Sequence, residues 1–584
     1  MRWLFDGTVQ LAGAPGGALS NAKLGLIVDE SANTLQVDLN QGKTQASTAL
    51  PLDQPSHAQI SLKGLPVGWL QGLLGTVWSG RVTGGRLDAV LALDIQDSGI
   101  QTSGEFTLDG AGFDTPAGTL AGQGVNSNGR LNIDTTSGAA RIHLDANVRG
   151  GELLLGPIYA KLPEHPVQLG LDASGHRGAF ELSRLRVSDA DALQLDGALA
   201  FSAKGELEKL KFDHFQAHFP AAYQRYGQTW LTALGMRDMR TAGQLSGSID
   251  MAADGLHSFN FDTDGLDAAD SGGRLSVTGL RGGMDWAAQG DRPATTLAWR
   301  TLQIYRIPTA GMQSHWQSRG GSLSLQRAAE IPLLNGKLRV ADLEWRPAAV
   351  KGQRLATSLT LTGIDMAAFS RAVGWPEFPG TLGGAIPSLR WVDDRFELAG
   401  GLSMNVFDGF VDITRLSLQQ PFGSSPVLTS DISMRQLDLG AITSVFDFGN
   451  ITGRLDGSVD QLRLVNWNPV AFNAQLLAGG GGRISQRAVN NLTSMGGGGI
   501  AAGLQGAVLK LFKTFGYKRI GLNCTLQGTV CHMGGLDSDG DGYTIVEGSG
   551  IPRLQVIGHQ TQVDWPTLMH RLKAAIDGAT PEIR

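Results

Sequence analysis

The chain has 584 residues, of which 81 are glycine and only 17% are charged, with a formal net charge of -6. Glycine is roughly twice its usual share near 7%, and charge lies below the roughly 25% of an ordinary soluble domain. With no basic stripe or Arg-rich run, nucleic-acid binding has little support, and a hydrophobic content of 42% excludes a disordered chain.

From the start, Met1-Arg2-Trp3-Leu4-Phe5-Asp6-Gly7 has no apolar leader core, and no apolar run reaches the roughly 18 residues that a membrane-spanning helix needs. Read literally, that is a cytosolic start. The alternative is an upstream export or anchor segment missing from this chain, and the immediate opening in strand-like sequence favours it. Period-2 alternation then recurs along the whole length. Leu35, Val37 and Leu39 flank Gln36 and Asp38. Leu87, Ala89, Leu91, Leu93 and Ile95 alternate with Asp88, Val90, Ala92 and Asp94. Leu193, Leu195, Gly197, Leu199 and Phe201 follow, and later Leu398, Gly400, Leu402, Met404 and Val406. In a strand such a series forms one apolar face and one more polar face. Asp-Gly at 109, Asn-Gly at 128, Asp-Gly at 254 and Asn-Gly at 335 read as hairpin turns.

A weak repeat supports an antiparallel array. Gly243-Gln244-Leu245-Ser246-Gly247-Ser248-Ile249, Gly380-Thr381-Leu382-Gly383-Gly384-Ala385-Ile386 and Gly453-Arg454-Leu455-Asp456-Gly457-Ser458-Val459 resemble one another, with a poorer copy from Gly80 to Leu87. Leu455 and Val459 thereby join the candidate apolar row. A short helix-like segment precedes each copy, at 69–77, 223–234, 366–373 and 439–446. The glycines would let the chain bend as it re-enters the sheet. The alternative is chance recurrence in a glycine-rich chain.

The pattern changes near 479, dividing the chain into a β-array, 1–478, and a C-terminal cap, 479–584. In the cap, Ile500, Leu504, Val508, Leu511, Phe512 and Phe515 fall at helical spacing, with Lys510, Lys513 and Lys518 toward the end. That predicts an amphipathic helix, either a plug on the sheet end or a membrane-surface element. Cys524 and Cys531 flank a hairpin with its turn at Gln527-Gly528, which places the sulfurs on facing strands. A disulfide there suits an oxidising compartment; the alternative is two buried thiols. Strands follow at 543–547 and 553–558. Asp564 as N-cap, Pro566 in the first turn and Leu568, Leu572 and Ile576 as a stripe predict a terminal amphipathic helix.

The C-terminal block, roughly 445–578, resembles the YdbH-like branch of the AsmA-like bridge proteins, relatives of TamB and YhdP. The residues that carry this are Leu462-Arg463-Leu464-Val465-Asn466-Trp467-Asn468-Pro469-Val470-Ala471-Phe472, Gly481 to Gln486, Cys524 to Gly534 and Asp564-Trp565-Pro566-Thr567-Leu568. The resemblance implies an inner-membrane N-terminal anchor, a long periplasmic β-groove and movement of phospholipid toward the outer membrane of a Gram-negative bacterium. It also implies membranes reached through partner proteins or the missing anchor, with a small outer-membrane lipoprotein as a possible partner.

The fold expected is mainly β: an elongated, curled and twisted antiparallel sheet with a few short helices and C-terminal amphipathic helices. With about half the residues in strands, the sheet would extend on the order of 200 Å, and helices are too few to cover its apolar face. Curling makes that face a trough for acyl chains; the alternative is a set of closed sandwich cores. The expected lining is Leu35, Val37, Leu39, Leu87, Leu91, Leu93, Ile95, Leu193, Leu195, Leu199, Phe201, Leu398, Leu402, Met404, Val406, Leu455 and Val459. Phospholipid is the expected partner. No cofactor, metal or catalytic activity is expected.

Other motifs carry less. Asp537-Ser538-Asp539-Gly540-Asp541-Gly542 resembles the start of an EF-hand loop, but Gly548 stands where the closing Glu belongs, so a hairpin turn is the simpler reading. His214 and His218 lack a third ligand. The 12 tryptophans read as core and rim anchors; the alternative is a carbohydrate platform. The rival function is an assembly factor for outer-membrane proteins that pairs through an exposed β edge. A secreted β-solenoid adhesin or carbohydrate-active enzyme would need regular repeats and paired carboxylates, and neither is evident.

Overall fold

A computed structural model describes residues 1–11, 19–74, 80–136, 138–156, 158–176, 179–233, 236–349, 353–392, 395–421, 425–495, 512–539, 542–551 and 553–576. The protein is mainly β, with 69% strand and 10% helix. It divides into two units. Unit 1 is Met1–Gly272, Val277–Leu297 and Gln317–Gly321; unit 2 is Gly273–Ser276, Ala298–Trp316 and Ser322–Arg584. The boundary expected at 478/479 falls inside unit 2. There one packed core takes Leu439, Ile451, Phe472 and Ala478 from one side of it and Ile484, Phe515, Val546 and Leu568 from the other.

In unit 1 the strands from Arg2–Leu11 to Gly255–Ala269 pair with their neighbours as an antiparallel meander. One hairpin is inserted. Glu152–Leu155 pairs with the start of the strand Leu120–Asp134, and Ala140–Arg149 pairs with the rest of it. Unit 2 contains a second antiparallel run, from Ala329–Leu333 to Thr514–Gln527. No described helix is long and apolar enough to cross a membrane.

All four expected short helices form among the described residues: Val67–Leu70 continuing into Gln71–Leu74, Tyr223–Gly227 into Gln228–Ala233, Met366–Val373, and Leu439–Val445. Asp365 caps Met366–Val373 by accepting from the Ala367 and Ala368 N–H groups at 2.8 and 3.1 Å, and Asp438 accepts from Ala441 N–H at 2.9 Å. Each helix leads into a strand that carries the glycine repeat. The repeat glycine is needed inside the strand Arg240–Ala252, where the neighbouring backbone comes close: Gly243 has φ +106°, and a Cβ there would lie 1.9 Å from the Gly265 carbonyl oxygen.

One extra residue interrupts many ladders, and it sits in the left-handed region. In unit 1 these residues include Gly64, Gly110 and Gly124; in unit 2 they include Asp342, Gly363, Arg415, Gln436 and Gln461. Such bulges bend a strand and raise its twist while returning the next side chain to the same face. A side-chain oxygen on a neighbouring strand often accepts the bulge N–H. Asp88 takes that of Gly64, Asn126 that of Gly110 at 2.9 Å, Asp456 that of Gln436 at 2.8 Å, and Asp431 that of Gln461 at 2.6 Å.

Three local expectations are corrected. Asp109-Gly110 is a bulge inside Gly99–Asp114, and Asn128-Gly129 lies within Leu120–Asp134, so neither makes a hairpin. The turns near 254 and 335 exist but use Ala253-Asp254 and Leu334-Asn335. The helix expected over 500–515 does not extend to its end: Phe515 lies in the strand Thr514–Gln527, where it pairs with Ile484. Residues 500–511 lie outside the described residues.

Candidate functional site: an apolar face in each unit

Directly opposed residues of antiparallel strands share a face, so the registers can be followed from strand to strand. In unit 1 one row runs Phe5, Leu26, Val37, Thr48, Ile60, Leu91, Gly104, Leu131, Leu144, Leu171, Leu185, Gly197, Phe212, Ile249 and Phe259. Beside it run Leu24, Leu39, Ala46, Leu62, Ala89, Phe106, Gly129, Ala146, Leu169, Val187, Leu195, Phe215, Gly247 and Phe261. On the other side a third row includes Leu93, Ile133, Ile142, Leu182, Leu199, Leu210 and Met251. None of these positions carries an ionisable side chain.

Unit 2 repeats the arrangement. One row joins Ile331, Leu338, Leu361, Gly384, Leu402, Ile413, Ile432, Val459, Ala474, Cys524 and Met533. A second joins Leu323, Trp345, Leu355, Trp391, Phe396, Leu418, Leu428 and Leu464. Trp391 and Phe396 stack at 5.6 Å between centroids.

The residues expected from alternation occupy these faces. Leu195, Leu199, Phe201 and Val406 are buried, and Ile95, near a hairpin end, is 46% exposed. Leu35, Val37, Leu39, Leu87, Leu91, Leu93, Leu193, Leu398, Leu402, Met404, Leu455 and Val459 are half-buried. The structure groups Leu195, Leu199, Phe201 and Leu193 in one cluster, and Val406, Leu402, Met404 and Leu455 in another. Sequence alternation found Phe201 but missed the other aromatic members, Phe106, Phe212, Phe215, Phe259 and Phe261 among them. Phe212 and Phe215 are three apart yet share the face, because a register irregularity lies between them.

Aromatic and large aliphatic residues in unit 1 lie opposite glycine. Phe106 faces Gly129, Leu91 faces Gly104, and Phe215 faces Gly247. A Cβ on Gly129 would lie 2.2 Å from the Asp145 carbonyl oxygen, and one on Gly104 would lie 2.0 Å from that of Val90. The backbone therefore approaches too closely there for any side chain.

Cys524 and Cys531 form a disulfide with Cα atoms 5.7 Å apart. The turn is Gly528-Thr529 instead of Gln527-Gly528. It sets Cys524 opposite Met533 and Cys531 opposite Leu526, so the bond runs diagonally. Among the described residues, the one group able to converge on a metal is His165, Asp189 and Asp191. Arg225 already occupies it, with Nη1 2.8 Å from both Asp189 oxygens and Nη2 2.9 Å from Asp191. The Arg225 guanidinium holds the Asp191 carboxyl far below the usual range. Burial, then the Asp189 carboxylate, pushes the Tyr226 phenol up. This cluster ties the segment Tyr223–Gly227 to Asp189 and Asp191, with Arg225 supplying the positive charge. His214 and His218 belong to no such group. In the Asp-rich motif, Asp539 pairs with Gly542 as a hairpin, and 540–541 lie outside the described residues.

Comparison of the chain with protein-family models, with curated proteins and with solved structures gives no match.

Proposed function

We propose that the chain is the bulk of an AsmA-like, YdbH-like periplasmic bridge that carries phospholipid along an apolar groove between the inner and outer membranes, without catalysing a reaction. The observation that supports this most is the run of uncharged rows, half-buried over much of their length, crossing strand after strand in each unit. A sealed core leaves large apolar side chains almost fully buried. Rows left half-exposed keep apolar surface for a ligand. Each acyl CH2 removed from water contributes about 0.8 kcal/mol. A single unpaired charge would be a barrier of several kcal/mol to a sliding tail, and the rows contain none. The Cys524–Cys531 bond fits an oxidising compartment. The partners are phospholipid and the two membranes, reached through other proteins or an anchor, with a small outer-membrane lipoprotein among the candidates.

Mass spectrometry of an organic extract of the purified protein tests this. Stoichiometric phospholipid is expected, and none across several preparations would overturn the proposal. Leu91→Asp and Leu402→Asp, with folding checked by circular dichroism, are each expected to cut lipid transfer between vesicles more than tenfold. Normal transfer by both folded variants would contradict the mechanism.

A further inference from the structure

Within unit 2 the two long borders of the strand run can be told apart. Asp365 N–H donates to Leu334 carbonyl at 2.9 Å and Asp438 N–H to Phe407 carbonyl at 2.7 Å. The helices Met366–Val373 and Leu439–Val445 and the hairpin tips at 334–335 and 407–408 therefore share one border. Thr309 pairs with Leu333, which puts the tip Tyr305-Arg306 on that helix-bearing border too. The tip Asn466-Trp467 lies on the opposite border, where Asn466 N–H donates to Pro426 carbonyl at 2.9 Å.

The strand after Tyr305 and the strand before Trp467 are separated by successive pairings through Ala329–Leu333, Gly336–Trp345, Gln353–Asp365, Gly380–Val392, Arg395–Val406, Gly409–Gln419, Val427–Asp438 and Arg454–Val465. In a flat sheet such a ladder would hold the two tips roughly 40 Å apart at about 4.8 Å per strand. Yet the Tyr305 and Trp467 rings meet edge to face, with centroids 5.1 Å apart. The strand run of unit 2 must therefore curl until opposite borders meet, staggered along the ladder as closure of a tilted sheet requires. The tips also carry strain. Tyr305, Arg306, Asn466 and Trp467 have φ of 47°, 69°, 50° and 63°, a region that bulky residues rarely adopt. Asn-Gly would form both turns without it, but would remove the rings. Trp467 remains 46% exposed, so the contact lies at the surface, where it can open.

We infer that the Tyr305–Trp467 pair is a clasp across the opening of the unit 2 apolar face, a gate that limits how fast a lipid crosses the slit between its borders. This rests on the lipid-carrying reading above. The pair joins two tips on opposite borders of the strand run. Its edge-to-face geometry is weak enough to break on the time scale of exchange.

The test measures uptake of a fluorescent phosphatidylethanolamine from phosphatidylethanolamine–phosphatidylglycerol vesicles by the full chain. The Tyr305→Ala/Trp467→Ala variant should take up lipid about two- to tenfold faster, the loss expected for one aromatic pair. Tyr305→Phe, which keeps the ring, should match the wild type. Tyr305→Cys/Trp467→Cys joined by a short bis-maleimide should be at least tenfold slower than the same protein before joining. The native cysteines are already bonded to each other and leave only the new pair to react. Equal rates before and after joining, in protein that binds lipid, would overturn the clasp and leave the lipid reading standing. No uptake by the wild type would overturn both. Should the alanine pair not fold, the joined variant decides.

Discussion

The two units build the same kind of face with different backbone chemistry. In unit 1 the interrupting residues are glycines, Gly64 and Gly110, for which φ near +60° costs little. In unit 2 the same role falls mainly to Asp342, Arg415, Gln436 and Gln461, each of which costs roughly 1 kcal/mol in that region. Both units hold the bulge N–H with a side-chain acceptor on a neighbouring strand, Asp88 and Asn126 in unit 1. In unit 2 the acceptors also offset strain: Asp456 takes both the backbone and side-chain N–H groups of Gln436, and Asp431 takes the Gln461 N–H and pairs with Arg415. The acceptor is thus common to the two units, and what differs is whether the bulge residue itself is strained. Unit 2 differs again at its C-terminal end, where Ile484, Ala488, Val546 and Val556 are fully buried. That end is a closed core, unlike the half-buried rows that precede it.

The comparison breaks most visibly at the unit 1 glycines. Gly129→Ala should destabilise unit 1 by about 3 kcal/mol, the upper end for overpacking, because its Cβ meets Asp145 and Ala146 backbone. Gly110→Ala should cost only about 1 kcal/mol, since nothing lies within 4 Å of its Cβ and only φ is wrong. Equal effects in urea unfolding would mean that close strand approach is not what the inner glycines serve. Next in size is the closed core of unit 2. Replacing both Cys524 and Cys531 by Ser should lower its stability by about 2–3 kcal/mol, the value for a loop this short, while amide exchange in the rows from Leu338 to Ile432 stays unchanged. Loss of protection across those rows would show that the core and the half-buried face unfold as one.

The carboxylate device makes a prediction of opposite signs. Asp456→Ala should destabilise unit 2 by about 1–2 kcal/mol, leaving the Gln436 N–H without its acceptor. Gln436→Gly should stabilise it by up to about 1 kcal/mol. In the double variant the two effects should not add, because the bulge no longer needs its clamp. If Gln436→Gly destabilises, the left-handed residue is not strained, and the distinction between the units collapses.

How much of this was legible depended on how local the cause was. Leu193 to Phe201 alternates without interruption, and that stretch is a strand. Asp564 was readable because a capped helix depends on a few neighbours, and it does accept the Thr567 N–H at 3.1 Å; the caps at Asp365 and Asp438 have the same local cause but were not read from the sequence. The cysteine pairing was readable from its spacing, but the register was not: one residue in the turn moved each cysteine off its expected partner. Asn128-Gly129 was misread because its local chemistry is that of a turn, whereas pairing with the neighbouring strands keeps it extended. The bulges at Arg415 and Gln461 have no signature in one strand, since the acceptor that holds them lies on another. The same is true of Tyr305 and Trp467, whose contact exists only once the whole intervening ladder has formed.

The smallest effect concerns the polar side of unit 1, where His143 lies opposite Asp172 and that residue opposite Arg184. His143 Nδ1 is 2.5 Å from Asp172 and Nε2 is 3.2 Å from Asp145. The hydrogen bond to the Asp172 carboxylate, then the charges of Asp172 and Asp145, raise the His143 pKa above its ordinary 6.5, against burial and the Arg184 charge. Arg184 first, and His143 second, hold the Asp172 carboxyl below its usual range. The signs follow. A raised histidine stabilises the fold fully below pH 6.5 and loses that contribution as pH rises through the folded value; a depressed carboxyl stabilises above its ordinary pKa and loses it in acid. Protection of the amides around His143, Asp172 and Arg184 should therefore be greatest in mildly acidic buffer and fall toward pH 8. Because these groups are largely solvated, the change should amount to only a few tenths of a kcal/mol. His143→Gln should flatten the decline while leaving the glycine-dependent rows on the opposite face untouched. A slope that survives in His143→Gln would assign the pH response to another group and detach the polar network from the stability of these strands.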